Sequence, residues 1–423
     1  SSAASDVYKR QYYSMDFEYE INKWWSSNGD KLIEYADAIV FLLFLIAVLY
    51  IFIFSLASLK KTRNKYPPAR KKHRFVVLFP AYQEDAVIIN SVCSFLEQDY
   101  PSYMYEIIVI TDKMRERTVQ TLKALPSITV LEAGYAQSTK TNALRLAMDY
   151  LSTKTEKCDM VVIMDADNIV NASFLNKLND AYYSGCLAIQ THRVAKNRNT
   201  NTAVLDAVSE EINNSIFRSG HTRLGFSSAL IGSGMAFDYD WLIQYIYKAT
   251  HVGVDKQLES MLLSQNIYIE FLEDVYTYDE KIEKKGQFYE QRRRWIATQF
   301  TNLFSGLWKL PKAFFSGNWD YCDKLLQWMM PPRIILFGFL VIFSIVTTWY
   351  DWSLSLKWWG ITFILIISFF MAIPDYLVDN RFQKAIISLP LLFILMFLNL
   401  FRLRGANKKF IHTVHGDHSS DNN

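Results

Sequence analysis

Residues 35–59, YADAIVFLLFLIAVLYIFIFSLASL, form an apolar run long enough to cross a bilayer core, and they carry almost no charge. In lipid every backbone polar group must bond within its own segment, so the run is read as a spanning helix. Directly after it come Lys60, Lys61, Arg63, Lys65, Arg70, Lys71, Lys72 and Arg74, with no acid among them. Basic flanks stay on the cytosolic side. Residues 60–74 are therefore read as a basic cytosolic linker and residues 15–34 as an extracytosolic N-terminal segment. Residues 1–14 share no pattern with the rest of the chain and are read as a tag or other non-native leader. The apolar run comes too late and is too long for a cleavable signal peptide.

Two further runs, about 334–348 and 360–378, predict spanning helices, and the loop between them can face out. A third, about 385–401, contains Pro390 and has basic residues on both sides: Arg381 and Lys384 before it, Arg402, Arg404, Lys408 and Lys409 after it. This charge pattern leaves two readings. A re-entrant or interfacial segment keeps both flanks cytosolic and is favoured; a single crossing exports the C-terminus despite its charge. Between the first run and these lies an amphipathic stretch, 286–332, with Arg292, Arg293 and Arg294 adjacent. Each charge at a bilayer centre costs about 2.5–3.5 kcal/mol on insertion scales. This stretch is therefore expected to lie at the interface. The tail, 403–423, is polar, and His412, His415 and His418 are read as solvated. A net charge of +3 gives no reason to expect nucleic acid. Four separated cysteines without a CxxC pair fit a reducing compartment.

From Phe75 to about residue 285 the pattern alternates strand and helix. FVVLF (75–79), EIIVI (106–110), ITVL (128–131) and MVVIM (160–164) are continuous apolar runs, as in strands buried on both faces of a parallel sheet. The expected fold is α/β, Rossmann-like, with a mostly parallel sheet and attached transmembrane and interfacial helices. Ligands of such sheets bind beyond the carboxyl ends of the strands. There stand PAYQED (80–85), Thr111-Asp112-Lys113 and Asp165-Ala166-Asp167-Asn168. Asp165 and Asp167 are two apart, which in an extended segment puts both carboxylates on one side. Such hard oxygen ligands suit Mg²⁺ or Mn²⁺.

MVVIMDADN resembles the metal-binding motif of the inverting family 2 glycosyltransferases, which have the GT-A fold. PAYQED is similar to the family's P-x-Y-N-E loop, with Gln83 in place of Asn. Asp255-Lys256-Gln257-Leu258 is similar to the E-D-x-x-L stretch that carries the catalytic base, with Val254 in place of Glu. Gln291-Arg292-Arg293-Arg294-Trp295 resembles the Q-x-x-R-W signature of processive synthases of cellulose, chitin, hyaluronan and poly-N-acetylglucosamine. The resemblance spans about residues 36–415.

It implies a UDP-sugar donor held by Tyr82, Glu84, Asp112, Lys140 and Asp165, and a divalent ion on Asp165 and Asp167. Asp255 is implied as the base, with Asp167 and Arg294 also catalytic. Gly232, Ser233, Gly234, Gln291, Arg294 and Trp295 are implied at the acceptor end, and Gln190 is expected to face the same site. Arg292 and Arg293, at variable positions, are expected to meet lipid headgroups. The expected reaction is transfer to a growing polysaccharide, processive and coupled to export. The alternative is a single addition to a membrane lipid acceptor; the acceptor is thus a polysaccharide or a glycolipid. The expected setting is the inner membrane of a bacterium with the catalytic domain in the cytosol. So few spanning helices suggest a partner subunit or a homo-oligomer.

Overall fold

The structure, a computed structural model, describes residues 2–60, 66–249, 253–283 and 285–402, with side chains from residue 31 onward. Lys61, Arg63, Lys65 and the histidines of the tail lie outside the described residues.

Eight strands form one sheet in the order β3-β2-β1-β4-β7-β6-β8-β5. They are β1 (Phe75–Tyr82), β2 (Tyr105–Asp112), β3 (Ile128–Ala133), β4 (Met160–Ile163), β5 (Ile169–Val170), β6 (Ala188–Ala195), β7 (Met235–Asp238) and β8 (Ile269–Asp279). The first four neighbours pair in parallel, as does β6 with β8; β7 runs antiparallel to both its neighbours. The four continuous apolar runs of the sequence are β1 to β4.

Helices α2 (Ile88–Leu96), α3 (Glu116–Ala124), α4 (Lys140–Ser152) and α5 (Phe174–Tyr183) alternate with these strands. Residues alternate faces along a strand. Phe75, Val77, Phe79, Ile107 and Val109 pack on α2, α3 and α5 through Ile88, Val92, Phe95, Leu122 and Leu178. Val76, Leu78, Ile108 and Ile110 pack on the opposite side, against Leu144 and Met148 of α4. Full burial of each such side chain contributes roughly 1.5–3 kcal/mol, which is why both faces read as apolar.

After β6 the chain forms α6 (Asn201–Asn214), a π-helical turn (Ser215–Gly220) and a last turn α7 (His221–Arg223). Close contact explains Gly220: a Cβ there would lie 2.2 Å from the Phe54 carbonyl oxygen. After β7 come α8 (Tyr239–Tyr245) and α9 (Val254–Leu263), whose Leu258 and Leu262 join the α4 face of the sheet. Beyond β8 follow α10 (Lys285–Leu307), α11 (Leu310–Phe315) and α12 (Trp319–Met329).

Among the described residues three helices are long and apolar enough to cross a membrane. They are the Lys31–Ser58 part of α1 (Ser2–Ser58), α13 (Arg333–Tyr350) and α14 (Trp352–Ala372). The third expected run is α15 (Asn380–Ile386) followed by α16 (Leu389–Phe401), bent by 52° at the break before Pro390. That is the geometry of a broken span or of a re-entrant segment.

The chain divides into two compact units, residues 1–50 with 340–364 and residues 51–339 with 365–423. In the first, Asp37 accepts a hydrogen bond from Trp358 Nε1 at 2.9 Å and pairs with Lys357, while Trp358 stacks on Phe343 at 4.9 Å. This pairing explains why α14 begins at Trp352 rather than near Gly360: the charge that set the expected boundary is matched. The second unit holds the sheet.

Candidate functional site

A cavity of ≈ 900 Å³ within the second unit opens at the carboxyl ends of β1, β2 and β4. Its volume falls in the range of small-molecule sites. Tyr82, Glu84, Asp112, Lys140, Asp165, Asp167, Gly232, Asp255, Gln291, Arg294 and Trp295 all line it.

On the first two strand ends, Gln83 N–H donates to the Asp112 carbonyl at 3.1 Å, fixing one loop against the next. Gln83 has φ 56° and Lys113 φ 54°, a left-handed conformation that Asn adopts more readily than Gln. Lys113 Nζ lies 5.4 Å from the centre of the Tyr82 ring. Asp112 is buried, and its Oδ1 has no hydrogen-bond partner. A buried carboxylate oxygen without a donor is costly unless a ligand supplies one.

The acids after β4 sit in a turn, not an extended segment: Asn168 N–H bonds back to the Asp165 carbonyl at 3.1 Å. The same-side argument from spacing therefore does not apply. Asp165 pairs with Lys140, whose ammonium also donates to the Gly232 carbonyl at 2.6 Å. Asp167, 2% exposed, accepts from Glu280 N–H at 2.7 Å and from Asn168 Nδ2 at 3.3 Å. A carboxylate has about four acceptor sites, so Asp165, paired with Lys140, keeps lone pairs. Among the described residues no group of three or more His, Cys, Asp or Glu is arranged to hold a metal. One or two carboxylates completed by substrate phosphates is the usual protein contribution to a Mg²⁺ site.

The turn 232–234 carries two left-handed glycines, Gly232 at φ 89° and Gly234 at φ 62°. Gln190 does not face the cavity as expected. It is fully buried and clamps this turn, donating to Ser233 O at 2.9 Å and accepting from Ile231 N–H at 3.0 Å. Ser233 also points away, its hydroxyl bonded to Asn168 Oδ1. These two residues shape the backbone that Gly232 presents.

Asp255 stands in the first turn of α9, where a helix N-terminus suits an acid. A Cβ on Gly232 would lie 3.8 Å from Asp255 Oδ2, so the carboxylate rests against the glycine turn. Val254, in place of an acid, is buried in the core. Gly253, at φ 92°, lets α9 meet α10: a Cβ there would come within 2.6 Å of Thr298. On α10, burial pulls the Arg294 guanidinium below its ordinary pKa, while Asp255 and Asp165 face it with opposite charge. Gln291 Oε1 is buried without a partner.

The arginine run does not meet lipid as a block. Arg292 turns inward, pairs with Asp206 at 2.5 Å and lies 4.5 Å from the centre of the Trp295 ring. Arg293 pairs with Glu290 one turn back at 3.2 Å. Arg292 and Arg294 both line the cavity.

Several charged residues at the cavity wall and behind it were not foreseen. Glu210 of α6 receives Arg193 at 3.0 Å and Arg218 at 3.1 Å, and Asp279 receives Lys281 at 2.9 Å. Burial raises the Glu210 pKa, but Arg193, Lys281 and Arg218 outweigh it and hold the carboxylate well below its usual range. Scattered charges on α6, β6 and β8 give no local motif, so only topology assembles them.

Residues 73–298 match the family described as Glycosyltransferase like family 2. The match covers more than half of the chain, and the chain belongs to that family. In outline it is a glycosyltransferase with a mixed, mostly parallel sheet and helices, plus apolar helices that could span a membrane. No curated protein matches the sequence. Among solved structures, similarity is found to the mannosyltransferase PcManGT from Pyrobaculum calidifontis in complex with GDP-Man and Mn²⁺, at 16% identity over 79% of this chain and 96% of that one, TM-score 0.49. TarS from S. aureus is similar at 15% identity over 52% of this chain and 38% of that one, TM-score 0.37. Its fragment 1–349 in complex with UDP is similar at 15% identity over 52% and 63%, TM-score 0.35.

Proposed function

We propose that the cavity transfers a sugar from a UDP-sugar to an acceptor hydroxyl at the membrane, with inversion. The observation that carries this reading is the convergence of distant carboxylates on one cavity. Asp165 meets Lys140, Lys140 meets Gly232, Gly232 meets Asp255, and Arg294 faces both Asp255 and Asp165.

The roles follow from position. Tyr82 offers a ring for the nucleotide base, and the unpartnered oxygen of Asp112 accepts a base N–H or ribose hydroxyl. Lys140 and Arg294 bring positive charge to the diphosphate. Asp165 and Asp167 would hold Mg²⁺ or Mn²⁺, which offsets charge growing on the leaving diphosphate. Asp255 takes the acceptor proton as the acceptor oxygen bonds to the anomeric carbon and the bond to the diphosphate breaks. General-base catalysis contributes roughly 10²–10⁴-fold, about 3–5 kcal/mol. Gly232 leaves room for the acceptor beside that base.

Of the two acceptors expected from the sequence, the cavity wall favours a membrane lipid. Phe217, Phe337, Ile366, Phe369, Leu392 and Met396 line it. A sugar polymer finds no hydrogen-bond partner on these side chains, whereas a hydrocarbon chain needs none. The signature at 291–295 supports the polymer reading instead. The test is product size from purified protein supplied with UDP-sugar and membrane lipid. A single glycolipid is expected; a ladder or high polymer would establish the processive reading.

A further inference from the structure

The cationic residues around the cavity are not all matched. Arg193, Arg218, Lys281 and Arg292 each reach a carboxylate of Glu210, Asp279 or Asp206. Arg333 reaches none within ion-pair distance among the described residues. Its Nη2 donates to the Ser209 carbonyl at 3.2 Å and hydroxyl at 3.4 Å, and its Nη1 is buried with no hydrogen-bond partner. Arg292 comes within 3.5 Å of the same Ser209 hydroxyl, and its Nε is likewise buried without a partner. Two guanidinium groups thus converge on one hydroxyl; Asp206 pairs with Arg292, while the carboxylate that acts on Arg333, Glu210, stays beyond ion-pair distance.

A buried cation is expensive unless an anion meets it. Both arginines line the cavity, so a ligand there can supply that anion. A guanidinium fork fits phosphate oxygens in a paired geometry that neutral groups cannot match. The surroundings restrict what carries the phosphate. Arg333 Cζ lies 5.7 Å from the centre of the Phe217 ring, and the cavity wall also includes Phe337, Phe369 and Met396. A small soluble anion gains nothing from such a wall; the chain of a lipid gains about 0.8 kcal/mol for each buried methylene.

We propose that Arg333 and Arg292 seat the phosphate ester of an anionic lipid acceptor, with its chains on the apolar wall and its head-group hydroxyl directed toward Asp255. This rests on reading the cavity as a transferase site with a lipid acceptor.

The experiment measures lipid binding to the full chain in detergent by native mass spectrometry, with UDP release assayed separately. The probes are phosphatidylglycerol, diacylglycerol with the same chains, and glycerol phosphate. Phosphatidylglycerol should bind about ten-fold more tightly than diacylglycerol, the effect of one or two charge-assisted hydrogen bonds. Glycerol phosphate should not compete at equal concentration. Arg333→Gln should abolish the preference, Arg333→Lys should keep part of it, and Arg333→Gln should not lower the melting temperature, because no protein carboxylate loses its partner. If Arg333→Gln does not fold, Arg292→Gln carries the same expectation for lipid preference. Equal binding of the two lipids, or an undiminished preference in the variants, overturns the proposal. Competition by glycerol phosphate equal to that of the lipid overturns its lipid half and leaves a soluble phosphate as the ligand. A protein that keeps the lipid preference but releases no UDP from any donor contradicts the transferase reading and not the seat.

Discussion

Single residues carry most of the chemistry, and each has a distinct failure. Asp255→Asn keeps the shape of the side chain and removes its basicity. It should lower kcat by roughly 10²–10⁴-fold with the donor KM nearly unchanged, as measured by UDP release. Gly234→Ala should act through stability instead. Its φ of 62° disfavours a side chain, and a Cβ would meet the Thr191 hydroxyl at 2.2 Å and the Thr277 hydroxyl at 2.7 Å. A loss of roughly 1–3 kcal/mol is expected in a denaturation series, from strain and overpacking. Gln83→Asn should be tolerated or slightly stabilising, because its φ of 56° suits Asn; a lower melting temperature would contradict that account.

At the scale of elements, α6 is the helix whose role the sequence concealed. It delivers Asp206 and Ser209 to one side of the cavity and sets Glu210 behind them, against the cavity-lining Arg193 and Arg218. Glu210 is matched by Arg193 and Arg218, so Glu210→Gln leaves cations buried without their partner and should cost about 3–5 kcal/mol. The pH dependence has a definite sign. The folded pKa of Glu210 is depressed by its cations, although burial works against them. The unfolded carboxylate titrates near the ordinary glutamate value, about 4.3. The stabilising contribution is therefore complete above that value and is lost as pH falls through the lower folded value. The stability gap between the native chain and Glu210→Gln should be constant above about pH 5 and shrink below about pH 4. A gap that widens on acidification would refute the charge network as its cause.

Over the whole molecule, the sequence was most informative where a strand ended. β1, β2 and β4 contain continuous apolar runs, and Tyr82 and Asp112, which end β1 and β2, and Asp165, the first acid after β4, lie at the cavity. The spanning segments were legible for a similar reason, since length and apolarity are what a bilayer demands. Conformation inside turns was not. The DADN turn closes through local bonds between Asp165 and Asn168 that an apolar pattern does not encode, and the burial of Gln190 and Ser233 depends on hydrogen bonds between residues far apart in the chain. The arginine run misled for the same reason. A triplet of charges argues against a spanning helix, but it cannot say that α10 turns Arg292 toward Asp206 on α6. The unmatched Arg333 was invisible because its significance lies in what does not pair with it.

The central claim is that one cavity assembles a donor site and a base for sugar transfer. It is tested most directly by UDP release from the purified full chain with lipid, Mg²⁺ or Mn²⁺, and a set of UDP-Glc, UDP-GlcNAc, UDP-Gal and UDP-GlcA. The account predicts release from at least one donor, loss of release with EDTA, and near-complete loss in Asp255→Asn with UDP binding retained. Unchanged turnover in Asp255→Asn, or no release from any donor by folded protein with lipid bound, would contradict it.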